Sequence, residues 1–247
     1  MTEDHVPPSR RRSTRVPLAD RAYEELLLQV IRGRRPPGDW LNIHALSREL
    51  NLSATPIREA LARLEPTGFV RRNPLRGYEV APLLSPTEIQ QLMDARLLFE
   101  PAFAAEAATS STPAFLQQLV DTIESMEHAG DVTNAESLKE SWLADESFHT
   151  LLSANTGNPF IHRAFTALGS QLQRFRFSGR AGRTHALEAA KEHREILEAI
   201  RRGDGVAAAE LMRSHIESAR QRTLADERAV HEAAEAAASS TPRRSAR

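Results

Sequence analysis

Residues 85–226 are punctuated as a series of helices, and that punctuation limits the fold more than any other feature. Ser85-Pro86-Thr87-Glu88 is a capping box with proline at the first helical position. Thr133-Asn134-Ala135-Glu136 is a second capping box, and Asn158-Pro159 offers a cap followed by proline just after Gly157. Gly203-Asp204-Gly205 is a sharp turn between two helices. These marks predict six helices, roughly 86–109, 113–129, 134–155, 159–178, 184–202 and 205–226. Short connections between such helices make an antiparallel bundle. Only 5% aromatic residues and 11 glycines in 247 residues favour helices over a sandwich or barrel.

A different order precedes this block. Residues 1–16 are polar, contain proline and carry Arg10-Arg11-Arg12 and Arg15, the pattern of a flexible arm. Residues 17–81 form a first structured unit. Ala19, Ala22, Tyr23, Leu26, Leu27 and Val30 recur at helical spacing, and Gly33 with Pro36-Pro37-Gly38 ends that helix. A short helix follows near Ile43 to Leu50, then a tight turn at Asn51-Leu52. Ser53 is placed to cap a third helix whose inward face is Ile57, Ala60, Leu61 and Leu64. Phe69-Val70 and Tyr78-Glu79-Val80 read as strands flanking a basic, turn-rich loop over 71–77. The expected fold is therefore mostly α: an N-terminal winged helix-turn-helix over 17–81, then an all-helical bundle of about six helices over 85–226. Residues 227–247 read as a disordered tail.

Composition removes several classes of function. Without cysteine there is no disulfide framework, thiolate metal site or cysteine nucleophile. No apolar run reaches the ~18 residues of a membrane span, and the amino terminus lacks a signal-peptide layout. A soluble, cytoplasmic protein without membrane contact is expected. Charge is split: residues 1–81 hold 14 Arg/Lys against 10 Asp/Glu (net +4), the remainder 18 against 23 (net −5). A basic front facing a polyanion and an acidic back with another task fit that asymmetry.

In a helix-turn-helix the second helix of the motif enters the major groove by its N-terminal end. Here that end is Ser53-Ala54-Thr55-Pro56-Ile57-Arg58. Hydroxyls and free N–H groups at a helix start suit phosphate, and Arg58 one turn further in suits a guanine edge or a phosphate. Arg76 and Gly77 at the wing tip suit the minor groove or backbone. Pro37-Gly38-Asp39-Trp40-Leu41-Asn42, Leu46-Ser47-Arg48-Glu49-Leu50, Ser53 to Leu61 and Gly68-Phe69-Val70 resemble the winged-helix domain of GntR-family transcription regulators. The helical remainder resembles the ligand-sensing domain of their fatty-acid-regulator subfamily, the FCD type. This resemblance covers residues 17–226 and implies DNA contacts from His44, Ser53, Thr55, Arg58, Arg76 and Gly77. Many relatives carry arginine where this chain has Ala54, which cannot donate a hydrogen bond, so an altered operator preference is expected there.

The bundle carries its own constellation. Leu138, Trp142, Asp145, His149 and Leu152 fall on one inward stripe, with Asp145 and His149 one turn apart. His193 lies 10 residues before Gly203, and His215 lies 10 residues after Gly205. In a hairpin both would stand ~15 Å from the turn, level with each other and inward-facing. Three imidazoles and a carboxylate converging in a bundle make a first-row divalent metal site (Zn, Ni, Mn, Fe or Co), whereas each histidine alone reads rather as a hydrogen-bonded core residue. The family resemblance implies a metal at these matching positions. Arg96, on an apolar stripe with Ile89, Leu92, Met93, Phe99 and Phe103, needs an anion, either Glu100 or another internal acid, or a ligand carboxylate.

The expected function is a sequence-specific DNA-binding transcription regulator, a repressor, binding a palindromic double-stranded operator as a homodimer. A small organic acid bound beside the metal modulates it. Two other readings stay open on the residues alone. One is a metal-dependent enzyme, although the chain has no HExxH pattern and no convincing general base. The other is a DNA-binding module with a purely structural metal.

Overall fold

The computed structural model describes residues 17–129, 134–169, 171 and 185–240. The expected arm over 1–16, Thr133, most of 167–184 and the end of the tail over 241–247 lie outside the described residues.

The head is built from α1 (Leu18–Ile31), β1 (Trp40–Leu41), α2 (Ile43–Leu50), α3 (Ala54–Leu64), a 3-10 turn (Glu65–Thr67), β2 (Val70–Asn73) and β3 (Gly77–Val80). Gly33, at φ 72°, stops α1. The Asn42 side chain caps α2 by accepting from the Ala45 N–H at 3.0 Å. Asn51 closes α2 in the left-handed region (φ 51°, ψ 48°), which makes the bend of the helix-turn-helix and suits asparagine. Ile57, Ala60, Leu61 and Leu64, the anticipated inner face of α3, are fully buried against Leu26, Leu46 and Val80. Each large apolar side chain there contributes ~1.5–3 kcal/mol of burial. The strands form an antiparallel sheet in the order β1-β3-β2, with Val70 opposite Val80 and Trp40 opposite Glu79. The two-residue β1 was not anticipated, because Trp40-Leu41 is too short to carry an alternation signal.

The bundle comprises α4 (Pro86–Ser110), α5 (Pro113–His128), α6 (Ala135–Asn155), α7 (Pro159–Thr166), α8 (Ala186–Arg201) and α9 (Gly205–Ser240). Ser85 and Glu88 make the reciprocal capping box, at 3.2 and 2.8 Å. Asn158 caps α7 as read, but α6 is capped by Asn134, which accepts from the Ser137 N–H at 2.8 Å. Gly205 is required at the start of α9: a Cβ there would stand 2.9 Å from the Ala105 carbonyl oxygen of α4. The bundle core joins Met93 and Phe103 of α4, Leu119 and Ile123 of α5, Phe148 and Leu152 of α6, Phe165 of α7, Leu197 of α8 and Met212 of α9.

Two expectations are corrected. The last helix does not stop at 226. It continues to Ser240, so residues 227–240, read as disordered tail, are helical. Their polar composition suggested a tail, but Ala229 to Ala238 is an alanine- and glutamate-rich run without glycine or proline, the composition of highest helix propensity. The inward stripe of α6 is also divided. Leu138 and Trp142 are buried in the core of the head, and only Leu152 joins the core of the bundle.

Candidate nucleic-acid interface and metal centre

The turn at Asn51 and the hairpin between β2 and β3 set the two elements of the candidate interface. His44 on α2, Ser53 and Thr55 at the start of α3, Arg58 one turn on, and Arg76 and Gly77 in the wing are all exposed. The Ser53 hydroxyl makes no capping bond, contrary to expectation, so the first-turn N–H groups of α3 keep their hydrogen-bonding capacity. Arg58 makes no ion pair among the described residues, whereas Arg63 pairs with Asp20, and Arg35 with Glu49. Arg76 lies over the Trp40 ring, 5.6 Å from its centroid, which orients the guanidinium at the wing. Gly77 holds φ 91°, a conformation that other residues rarely adopt. Ala54 is half-buried and presents a methyl group where a donor would be needed to read a base. Arg48 and Arg72, also exposed and without an ion pair among the described residues, were passed over in the sequence; an unpaired arginine shows only once its neighbours are placed.

The second site lies where α6, α8 and α9 meet. One donor atom from each of Asp145, His149, His193 and His215 lies within 4.8 Å of the others. The His193 and His215 Nε2 atoms stand 3.4 Å apart, as the symmetry about the turn anticipated. Asp145 Oδ1 lies 3.7 Å from His149 Nε2 and 3.6 Å from His193 Nε2. Donors bound to one ion at ~2.1 Å in tetrahedral array would be separated by about 3.4 Å, so these spacings fit a single first-row ion. The three histidines are buried.

The outer hydrogen bonds point the same way. His149 Nδ1 is 2.6 Å from Glu100, and His215 Nδ1 is 2.7 Å from Glu192. A carboxylate on Nδ1 fixes the ring and leaves the Nε2 lone pair for a metal. Arg222 in turn holds Glu192 at 2.6 and 3.0 Å. Burial pushes the Glu192 carboxyl up, but the bonds from His215 and Arg222 hold it down to about 2. His193 stacks on Phe148 with centroids 4.0 Å apart, and its buried Nδ1 has no hydrogen-bond partner among the described residues. Burial, reinforced by the charges of His215 and His149, drives the His193 pKa well down. Burial also lowers that of His215. Both rings are therefore neutral near pH 7, the form that ligates. Burial opposes charge on His149 too, but the Glu100 carboxylate outweighs it and raises its pKa.

Arg96 is buried and pairs with Glu100 through Nε at 2.5 Å and Nη2 at 3.2 Å. Of the anions that the sequence left open, Glu100 is therefore present. Nη2 also lies 3.2 Å from His149 Nε2, which sets the guanidinium against the rim of the four-donor cluster. Nη1 meets only the Met93 sulfur, at 3.9 Å, among the described residues. Glu192 was missed in the sequence. Its signal was its place beside His193 and one turn before Ile196, where a carboxylate within a histidine-bearing helix can serve the neighbouring helix.

No helix of the described residues is long and apolar enough to cross a membrane. Comparison with known proteins agrees with both halves of the molecule. Residues 18–80 match the model of the bacterial regulatory proteins of the gntR family, and residues 91–218 match that of the FCD domain. The chain is 26% identical to the HTH-type transcriptional regulator LutR of Bacillus subtilis over 204 residues, covering 74% of this chain and 91% of that one. It is 26% identical to the galactonate operon transcriptional repressor of Escherichia coli over 224 residues, covering 82% and 95%. A GntR-type structure from Rhodococcus sp. RHA1 superposes with TM-score 0.65 at 20% identity, covering 84% of this chain and 97% of that one, a likeness of fold. The chain is therefore a transcription regulator rather than an enzyme, and it belongs to the GntR family, with an FCD domain as its helical half.

Proposed function

We propose that this regulator is a repressor whose grip on a palindromic operator is set by a small organic acid bound beside a divalent metal in the FCD domain. The observation that carries this reading is the convergence of Asp145, His149, His193 and His215, with their donor atoms within 4.8 Å and the buried guanidinium of Arg96 alongside. A divalent ion held there by these four donors would keep one or two coordination positions for a carboxylate oxygen at coordination number five or six. Arg96 Nη1, unengaged by any carboxylate among the described residues, is the edge that clamps the acid, while Glu100 keeps the arginine charged and in place. The Escherichia coli relative, a repressor of a galactonate operon, supports both the sign of regulation and a carboxylate ligand.

At the head, His44, Ser53, Thr55, Arg58, Arg76 and Gly77 are assigned to DNA, with Arg48 and Arg72 adding phosphate contacts. Two heads reading half-sites about one helical turn apart require a homodimer. Exposed Leu98 on α4 and Phe160 on α7, helices joined through the Phe103–Phe165 ring contact, supply apolar surface for it.

The test is operator affinity of metal-loaded full-length protein against a panel of hydroxy acids, sugar acids and dicarboxylates. At least one acid should weaken binding, and Arg96→Met should abolish that response while sparing metal binding. A structural metal is the competing reading, favoured by the completeness of a four-donor tetrahedral set. It requires operator affinity to be indifferent to every acid in the panel.

A further inference from the structure

Helix α6 belongs to two cores at once. Ala135, Leu138 and Trp142, in its first half, are buried in the core of the head. Phe148 and Leu152, in its second half, are buried in the core of the bundle. Asp145 stands between these sets and His149 next to Phe148, two of the four converging donors. Among the described buried residues of the head core, α6 is the sole contributor from the FCD domain; α4, α5, α7, α8 and α9 supply none. Trp142 is the largest of the three, stacked on Phe69 at the entrance to the wing, with centroids 6.0 Å apart and planes 21° apart. Lys139 pairs with Glu24, and Glu136 pairs with Arg32 at 2.5 Å, so ion pairs to α1 flank the same contact.

We propose that Trp142 is the coupling residue of this regulator, through which closure of the four-donor site repositions the DNA-binding head. This rests on the metal-site reading above and adds the route by which it reaches the DNA. Two donors ride on α6, and the other two ride on α8 and α9. The His193–His215 pair already stands at the ~3.4 Å of a bound tetrahedral set, whereas the Asp145 contacts of 3.6 and 3.7 Å and the overall spread of up to 4.8 Å exceed it, so binding draws α6 towards the α8–α9 hairpin. Trp142 is three residues, about 4.5 Å of helix rise, from Asp145. A packed helix moves as a rod, because close-packed interfaces shift between discrete arrangements rather than deform. The head, held by the α6 side chains, follows.

Two further features make the contact a movable one. The Trp142 indole N–H is buried and has no acceptor among the described residues. An unsatisfied buried donor raises the energy of this arrangement and narrows its gap to a shifted one. On one flank lies a cavity of about 360 Å³, lined by Tyr23, Leu27, Lys139, Trp142, Glu146 and Thr166, so the ring has space on one side.

The test uses the full-length chain and Zn²⁺ alone as the probe. In the parent, the ratio of operator affinities with and without Zn²⁺ should be at least about 5-fold, the lower end of ordinary coupling. Trp142→Ala should bind Zn²⁺ in calorimetry as the parent does, and bind the operator, with that ratio reduced to near one. Trp142→Phe, which keeps the ring on Phe69, should retain the ratio. A full ratio in Trp142→Ala overturns the proposal and leaves the metal reading standing. So does a parent that binds Zn²⁺ with no change in operator affinity. A parent that binds no Zn²⁺ overturns the metal reading itself. If Trp142→Ala does not fold, Trp40→Phe leaves Trp142 as the only tryptophan of the chain. Saturating Zn²⁺ should then shift its emission, and an unchanged spectrum with Zn²⁺ bound overturns the proposal.

Discussion

The head and the bundle solve opposite problems with polar side chains. The head keeps its functional groups outside: the six assigned to DNA are exposed over a core that is almost wholly apolar. The bundle keeps its functional groups inside, where Arg96, Glu100, His149, His193 and His215 are each 3% exposed or less. Surface groups act nearly independently and cost the fold little when removed. Buried polar groups depend on one another, because each loss strands a partner in low dielectric. One region is therefore open to change at little cost in stability, and in the other single replacements are destabilising.

The sharpest test of that contrast is Glu100→Ala. It leaves Arg96 charged and unpaired inside the bundle and should lower stability by ~3–5 kcal/mol in urea denaturation. The double replacement Arg96→Met with Glu100→Leu removes both charges and should cost much less than the single change. Equal losses would mean that the pair is not the interior unit described. Next in size is Glu192→Gln, which weakens the hold on His215 Nδ1 and should reduce metal affinity by ~10–100-fold in calorimetry with the helical content unchanged.

Arg58→Ala should weaken operator binding by ~1–3 kcal/mol if it reads a base, or reduce the salt slope by about one unit if it touches phosphate; in both cases the urea midpoint should stay close to that of the parent. A large drop in stability would contradict the independence of the surface set. The smallest effects separate two similar-looking caps. Asn42→Ala removes an observed capping bond and should cost ~1 kcal/mol. Ser53→Ala removes none and should change stability by less than ~0.5 kcal/mol while reducing operator affinity.

The same contrast explains what was legible in the sequence. Local rules placed most of the helices, since Ser85 with Glu88 and Asn158 with Pro159 act within a few residues. The meeting of His193 and His215 was also legible, because equal distances from one turn fix their level. Periodicity gives a face but not the neighbour that covers it. Leu138 and Trp142 fit an inward stripe, and only the packing of α6 against α1 and Phe69 shows that inward there means into the head. Glu192 was hidden for a related reason: it serves a histidine 23 residues later on another helix. The end of α9 is poorly marked in the sequence because the low hydrophobicity of 229–238 points to a tail while its alanine propensity carries the helix to Ser240.

The most direct measurement is a calorimetric titration of metal-stripped full-length protein with Zn²⁺, beside His193→Ala and His215→Ala. The parent should take up one ion per chain, and each variant should lose that binding while remaining folded. Undiminished uptake in both variants, or none in the parent, would contradict a metal centre built from these four side chains.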